Sequence, residues 1–492
     1  MSSEVVSFLL DPATYGTGVK DVGHVETASS HIFLAGDRAF KLKRDARLPH
    51  ADYSTIERRR RSCEREVELN RRTAPNLYVG FLPITRTSGG TLNLGGAGAA
   101  VDWVIEMTRF DPGARLDALA ARGALSPALM GAAGRAIAAL HAMAARRPDH
   151  GGVAGVRAVI EQNASLSEPL LADSLEALKK HSMLLDVRRA DGWVRECHGD
   201  LCLRNMVVIE NRPVIFGGVE FDDRRACVDV LDDLASVVSE LLHRELPEHA
   251  NVVLNAWMER MRQYDGLPAL PLFLSARAAT QARLLAAAGQ ADEARALVAE
   301  AVRFVQPGSG AIVAIGGLSG AGKTTLSRRM AARLGAPPGG LLLRSEAARK
   351  RLFGIADDAR QQPAYNPSVA RSIYRLVTRE ALDVARSGYV AVVDATLGLD
   401  EWRIDIRRAA ERAGVPLIGL WLDAPVAVLE QRVRESRAEA TDAALRVLRQ
   451  QRQVSSVPTD WVRVDSTMEP DAMVEAAMAA WTARRGRHVT VD

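Results

Sequence analysis

Residues 317–324 read GLSGAGKT and follow the apolar run AIVAI at 311–315. A loop of the form G-x-x-x-x-G-K-[ST] leaves few folds open, because it needs a buried strand before it and a helix after it. The spacing has a mechanical reason. Glycines turn backbone N–H groups inward onto phosphate oxygens. Lys323 reaches the terminal phosphates, and the Thr324 hydroxyl can hold Mg2+. Residues 325–334, TLSRRMAARL, carry helical spacing, so a helix N-terminus faces the anion. Gly317, Leu318, Ser319, Gly320, Ala321, Gly322, Lys323, Thr324 and Thr325 are thus the expected cradle for ATP, with Mg2+ as its counterion.

The rest of the chain must be organised around that loop. Its 492 residues exceed what one core supports and imply two or more domains. A net charge of +4 is small for this length and argues against a dedicated nucleic-acid binder. No apolar run is long enough to span a bilayer. The opening MSSEVVS lacks the basic region and apolar core of a signal peptide. Cys63, Cys197, Cys202 and Cys227 form no CxxC pair and no zinc spacing. They read as reduced thiols of a cytoplasmic protein.

Breaker residues in QPGSG at 306–310 mark a linker, assigned to 307–310. It separates an N-terminal domain, 1–306, from a C-terminal domain, 311–492. The C-terminal domain alternates strand and helix, which argues for a doubly wound parallel sheet of the P-loop NTPase kind. The N-terminal domain opens with a hairpin at 31–43, a charged helix at 54–72 and further strands at 77–84 and 101–107. From 116 onward it is mainly helical. A small β-rich lobe, about 20–110, before a larger helical lobe, 111–306, is a bilobal protein-kinase-like arrangement. The fold class is therefore α/β and α+β in two domains.

Several acids and bases fall where phosphate chemistry needs them. Asp394 ends the buried run YVAVVD at 389–394 and suits a water-mediated Mg2+ contact. Glu346 stands just after the second strand, where it can act as a base or bind substrate. Arg434 and Arg437 lie three residues apart on a helix, either as a lid over the transferred phosphate or as a solvated face. Arg349, Lys350 and Arg351 carry the same two readings. Upstream, CHGDLCLRN at 197–205 places Asp200 and Asn205 at the separation of a kinase catalytic loop. There the Asp accepts the hydroxyl proton and the Asn coordinates metal. A hairpin over 206–216 follows, then Glu220 in GGVEFDD.

The segments HGDLCLRN, VEFDD and DVLDDLA together resemble the aminoglycoside phosphotransferase family. AFKLKR, CEREVELNRR and EMTRFD resemble that fold's small lobe and hinge. The resemblance implies that Lys41 binds phosphate, that Glu66 orients it and that Glu106 and Met107 lie near the adenine. Lys43 competes with Lys41 for the first role, and Glu64 with Glu66 for the second. End to end, the chain resembles bacterial two-domain proteins that join such a domain to a P-loop kinase-like ATPase, through GGLSGAGKTT, RSEAARKRL, AYNP, VVDAT with Arg403 after it, and RVRESRAEATDAA. Three departures stand out. Cys202 replaces the second His of HGDLH. Gly217 replaces an acid, which leaves the metal ligand as either that missing acid or Glu220. Glu346 replaces an Asp.

Three functions are compatible with these residues. The first is an ATP-dependent kinase acting on a hydroxyl of a small molecule. The second is a regulatory protein with a degenerate upstream domain and a P-loop ATPase. The third is a nucleic-acid end kinase, disfavoured by the low net charge and the lack of an aromatic stacking platform.

Overall fold

The computed structural model describes residues 3–48, 51–355, 367–436 and 441–488. The chain forms two compact units. One comprises Met1–Ser165 and Leu178–Glu240, the other Leu166–Ala177 and Leu241–Asp492.

In the first unit six antiparallel strands form one sheet, in the order Val22–Glu26, Ser30–Ala35, Arg38–Lys43, Ala99–Thr108, Tyr78–Arg86, Leu92–Leu94. The hairpin expected at 31–43 is present, closed by Gly36 at φ 57°, a left-handed angle that costs glycine little. Helix Ile56–Arg71 starts at Thr55, whose side chain accepts from the Arg58 N–H. It packs on strands Ala99–Thr108 and Tyr78–Arg86, burying Cys63 and Val67 against Tyr78 and Ile105. This packing carries Glu66 under the sheet. The second hairpin, Met206–Ile209 with Arg212–Ile215, turns through Glu210 and Asn211. Both have positive φ, 49° and 61°, the pattern of a two-residue hairpin loop.

The second unit is built on five parallel strands in the order Leu341–Arg344, Val390–Asp394, Ala311–Gly317, Leu417–Asp423, Val462–Asp465. Strand Ala311–Gly317 is central and buried at every residue, as a parallel strand covered on both faces should be. The chain crosses to one side of it first and then to the other. That reversal opens a crevice at the carboxyl ends of the strands, where the glycine-rich loop emerges. Helices Lys323–Ala331 and Pro470–His488 pack together, as do Pro367–Arg386 and Asp400–Arg412. Right-handed crossovers place the two pairs on opposite faces.

Compactness divides the chain at 240, upstream of the linker expected at 307–310, for a local reason. Leu341–Arg344 is an edge strand of the parallel sheet, and helix Pro247–Met261 covers it. Asn255 Oδ1 accepts from the Leu342 N–H at 2.6 Å, and Asn255 Nδ2 donates to the Gly340 carbonyl at 3.1 Å. Asn251 Nδ2 donates to the carbonyls of Pro338 and Gly340, both at 3.0 Å. Two amide side chains thereby supply bonds that a further strand would have made. Among the described residues no helix is long and apolar enough to cross a membrane.

Candidate active site at the glycine-rich loop and its upstream counterpart

At the loop, glycine is required by conformation and by space. Gly317, Gly320 and Gly322 have φ of 144°, 82° and 83°. A Cβ on Gly320 would meet the Leu429 carbonyl oxygen at 2.7 Å, and one on Gly317 the Leu422 oxygen at 2.8 Å. Gly322 caps helix Lys323–Ala331, which aims the first helical N–H groups into the loop. The Thr324 hydroxyl donates to Asp394 Oδ2 at 2.6 Å. Asp394 is buried and sits in register with Ile315 on the adjacent strand. Hydroxyl and carboxylate, seventy positions apart in sequence, therefore form one hard-oxygen pair suited to a divalent ion.

Lys323 Nζ donates to the Leu318 carbonyl at 3.0 Å. Burial pulls its pKa below the ordinary lysine value, and Asp394 and Glu346 oppose that pull. Glu346, in the first turn of helix Ser345–Leu352, acts electrostatically on Lys323. Arg434 is exposed and ion-paired with Glu430 on its own helix at 3.1 Å. That helix, Val426–Ser436, does adjoin the loop, since Leu429 and Val433 are the neighbours of Gly320. Arg437, the residues AYN at 364–366 and part of RVRESRAEATDAA lie outside the described residues.

Sequence reasoning missed Gln451. Its Oε1, on helix Thr441–Val454, accepts from both the N–H and the hydroxyl of Ser319 at 2.9 Å. An amide oxygen thus bonds a loop N–H of the kind that receives phosphate. No motif announces it, because that helix draws attention only through its arginines.

The upstream loop is held from beneath. Asp233 is fully buried and accepts from the N–H groups of His198 and Gly199 at 3.1 and 3.0 Å, and His141 Nε2 lies 3.1 Å from it. Asp200 and Asn205 come together at 3.2 Å, and Asp200 also pairs with Arg204 at 3.0 Å. Burial pushes the Cys202 thiol pKa up, which keeps it protonated. Lys41 and Glu66 meet at 2.7 Å, whereas Glu64 is exposed near Arg60. Lys43 also reaches Glu66, at 2.5 Å, so the two lysines share one carboxylate. Burial raises the carboxyl pKa of Glu66, but Lys41 and Lys43 outweigh that and bring it down to about 2. Glu106, expected near the adenine, pairs with Arg38 at 2.9 Å.

Glu220 meets groups of the small lobe through its Oε1. Lys43 holds it at 2.5 Å, and it accepts from Ser62 at 3.0 Å and Tyr53 at 3.2 Å. Burial alone would depress the Lys43 ammonium, yet Glu220 and Glu66 hold its pKa well above the ordinary value. The position facing Asn205 is Gly217, at φ 76°, where a Cβ would lie 3.3 Å from Asn205 Oδ1.

Known proteins match both halves. Residues 38–223 match the phosphotransferase enzyme family, and residues 312–458 an AAA domain. An uncharacterized protein of Mycobacterium tuberculosis is 24% identical over 93% of this chain and 94% of its own length. The adenylyl-sulfate kinase of Myxococcus xanthus is 29% identical over 25% of this chain and 62% of its own. Among solved structures, a choline/ethanolamine kinase family protein from Mesorhizobium loti covers 61% of this chain and 98% of its own at 12% identity and TM-score 0.37. The Mycobacterium tuberculosis APS kinase CysC in complex with AMPPNP and APS covers 36% of this chain and 99% of its own at 18% identity and TM-score 0.30. The chain therefore joins a phosphotransferase-enzyme-family domain, residues 38–223, to an AAA-type P-loop domain, residues 312–458.

Proposed function

We propose that the protein transfers the γ-phosphoryl group of ATP to a hydroxyl of a small molecule, and that the P-loop site performs the transfer. The observation that carries this reading is the Thr324–Asp394 pair at 2.6 Å beside Lys323. The N–H groups of the loop and of the following helix, over Gly317–Thr325, bind the phosphates. Lys323 neutralises charge on the terminal phosphate. Thr324 and Asp394 would hold Mg2+, which would supply positive charge that offsets the charge of the phosphates. The acceptor oxygen bonds to the γ-phosphorus as the bond to the β–γ bridging oxygen breaks. Glu346, whose charge acts on Lys323, would take the acceptor's proton. Phosphoryl transfer depends mainly on positioning and electrostatics, so a strong base is not required. Arg434, one residue beyond the Val433 contact with the loop, would leave Glu430 to close over the transferred group.

The upstream domain fits a binding role better than a transferring one. Glu220 is committed to Lys43, Tyr53 and Ser62, and Gly217 offers Asn205 no carboxylate partner. Lys41, Glu66, Asp200 and Asn205 would then bind nucleotide or a related ligand without turnover. Free thiols at all four cysteines support a cytoplasmic setting.

The test is ATP turnover of the wild type, Lys323→Ala and Asp200→Ala against sugars, amino alcohols, nucleosides and oligonucleotides. Loss of turnover in Lys323→Ala with retention in Asp200→Ala is expected. The reverse pattern would move the chemistry upstream, and transfer confined to oligonucleotide ends would make the protein a nucleic-acid kinase.

A further inference from the structure

Helices Pro367–Arg386 and Asp400–Arg412 enclose a groove of about 410 Å³. Its walls carry Arg371, Arg375, Arg379, Arg386, Arg408 and Arg412. The first three recur every four residues, so they line one helix face about 6 Å apart along its axis. Of the described lining residues, Asp383 and Asp405 alone oppose them. Among the described residues, none of the six guanidinium groups has an ion-pair partner, and neither carboxylate has one. Exposed helix arginines commonly pair with acids on their own helix, as Arg434 does with Glu430. Six that share a concavity without doing so leave a strong excess of positive charge. A second observation comes from the groove wall itself. Trp402 is only 9% exposed, and its Nε1–H has no acceptor among the described residues.

One end of the groove approaches the carboxyl end of strand Val390–Asp394, where the Tyr374 hydroxyl accepts from the Leu397 N–H; the other end lies away from the glycine-rich loop. Arg386 immediately precedes strand Val390–Asp394, and Arg412 precedes strand Leu417–Asp423. That end therefore lies at the amino ends of the strands, whereas the loop leaves their carboxyl ends.

We propose that this groove is a second anion site, for a multiply phosphorylated, hydroxyl-bearing small molecule. Guanidinium forks match phosphate oxygens in pairs. An excess of six cations over two anions calls for more than one phosphate. The volume falls in the range of small-ligand sites, roughly 300–1,000 Å³. Asp383 and Asp405 accept hydrogen bonds from hydroxyls, and they repel an unbroken polyanion such as single-stranded RNA.

The experiment uses the full chain carrying Lys323→Ala, which removes the P-loop lysine, and titrates it by calorimetry with fructose 1,6-bisphosphate and with inorganic pyrophosphate. Saturable binding is expected for at least one, with Kd rising tenfold or more when Arg375→Glu and Arg379→Glu are added. Both substitutions are exposed and outside the P-loop site, so the same pair in the Lys323 chain should leave ATP turnover intact and so report a folded unit. Silence of both probes, or equal Kd with and without the charge reversals, overturns the proposal. Reversal-sensitive binding of a 20-nucleotide RNA with no small-anion binding overturns it in favour of nucleic acid.

Discussion

Gly217→Asp is the most informative change to make upstream. The glycine's φ of 76° is left-handed, a region that Asp enters at a cost of about 1 kcal/mol. Its Cβ would lie 3.3 Å from Asn205 Oδ1, so the new carboxylate lands beside the amide oxygen assigned to metal. A unit negative charge about 3 Å from a divalent ion contributes about 3 kcal/mol even at the dielectric constant of water. The strain is present with and without ligand and cancels from the binding equilibrium, so the gain in affinity is on the order of 100-fold. The assay is calorimetric titration of ATP, with Mg2+ and with EDTA, into chains already carrying Lys323→Ala. The gain should appear only with Mg2+, and Asn205→Ala should remove it. An unchanged Kd, or a gain that survives EDTA, would refute the claim that Gly217 is what silences the upstream metal site.

Three further outcomes follow from the same contacts. Asn255→Leu leaves the Leu342 N–H without its acceptor and removes the amide's donations to Gly340 and Asn251. About 3 kcal/mol of destabilisation is expected, seen as a drop of about 6–12 °C in the calorimetric transition that Mg-ATP raises. The matched exposed change Asn76→Leu should move it by under about 2 °C. Glu66 has a depressed folded pKa of about 2 against an ordinary 4.5, so its stabilisation is complete above pH 4.5 and is lost as pH falls toward 2. Wild type should lose on the order of 3 kcal/mol relative to Glu66→Gln across that window in urea melts, and parallel curves would contradict it. Gly320→Ala forces a Cβ to within 2.7 Å of the Leu429 oxygen at a φ of 82°, so ATP affinity should fall by about tenfold or more in direct titration.

What could be read in the sequence follows the range of each interaction. The P-loop announces itself because its glycines, lysine and threonine act within eight residues, and the alternating strands and helices after it follow from hydrophobic period. The Asp200–Asn205 loop and the 31–43 hairpin are likewise local. Asp394 could be guessed from ending a buried run. By contrast, Gln451 reaches Ser319 across 132 positions, and its neighbours in sequence carry no mark of that contact. The fate of Glu220 was equally hidden. Whether it binds metal or a lysine depends on Lys43, Tyr53 and Ser62, all more than 150 positions away. The choice between Lys41 and Lys43 had no answer in spacing, because alternate residues of one strand share a face and both reach Glu66.

The amides of Asn251 and Asn255 have a consequence for any shortened form of the chain. A fragment beginning at 307 would keep the whole nucleotide loop yet lose helix Pro247–Met261, baring the backbone of Leu341–Arg344. An uncovered edge of a parallel sheet is a template for strand addition by another copy. Such a fragment should therefore associate as its concentration rises, whereas one beginning near 241 carries its own cover.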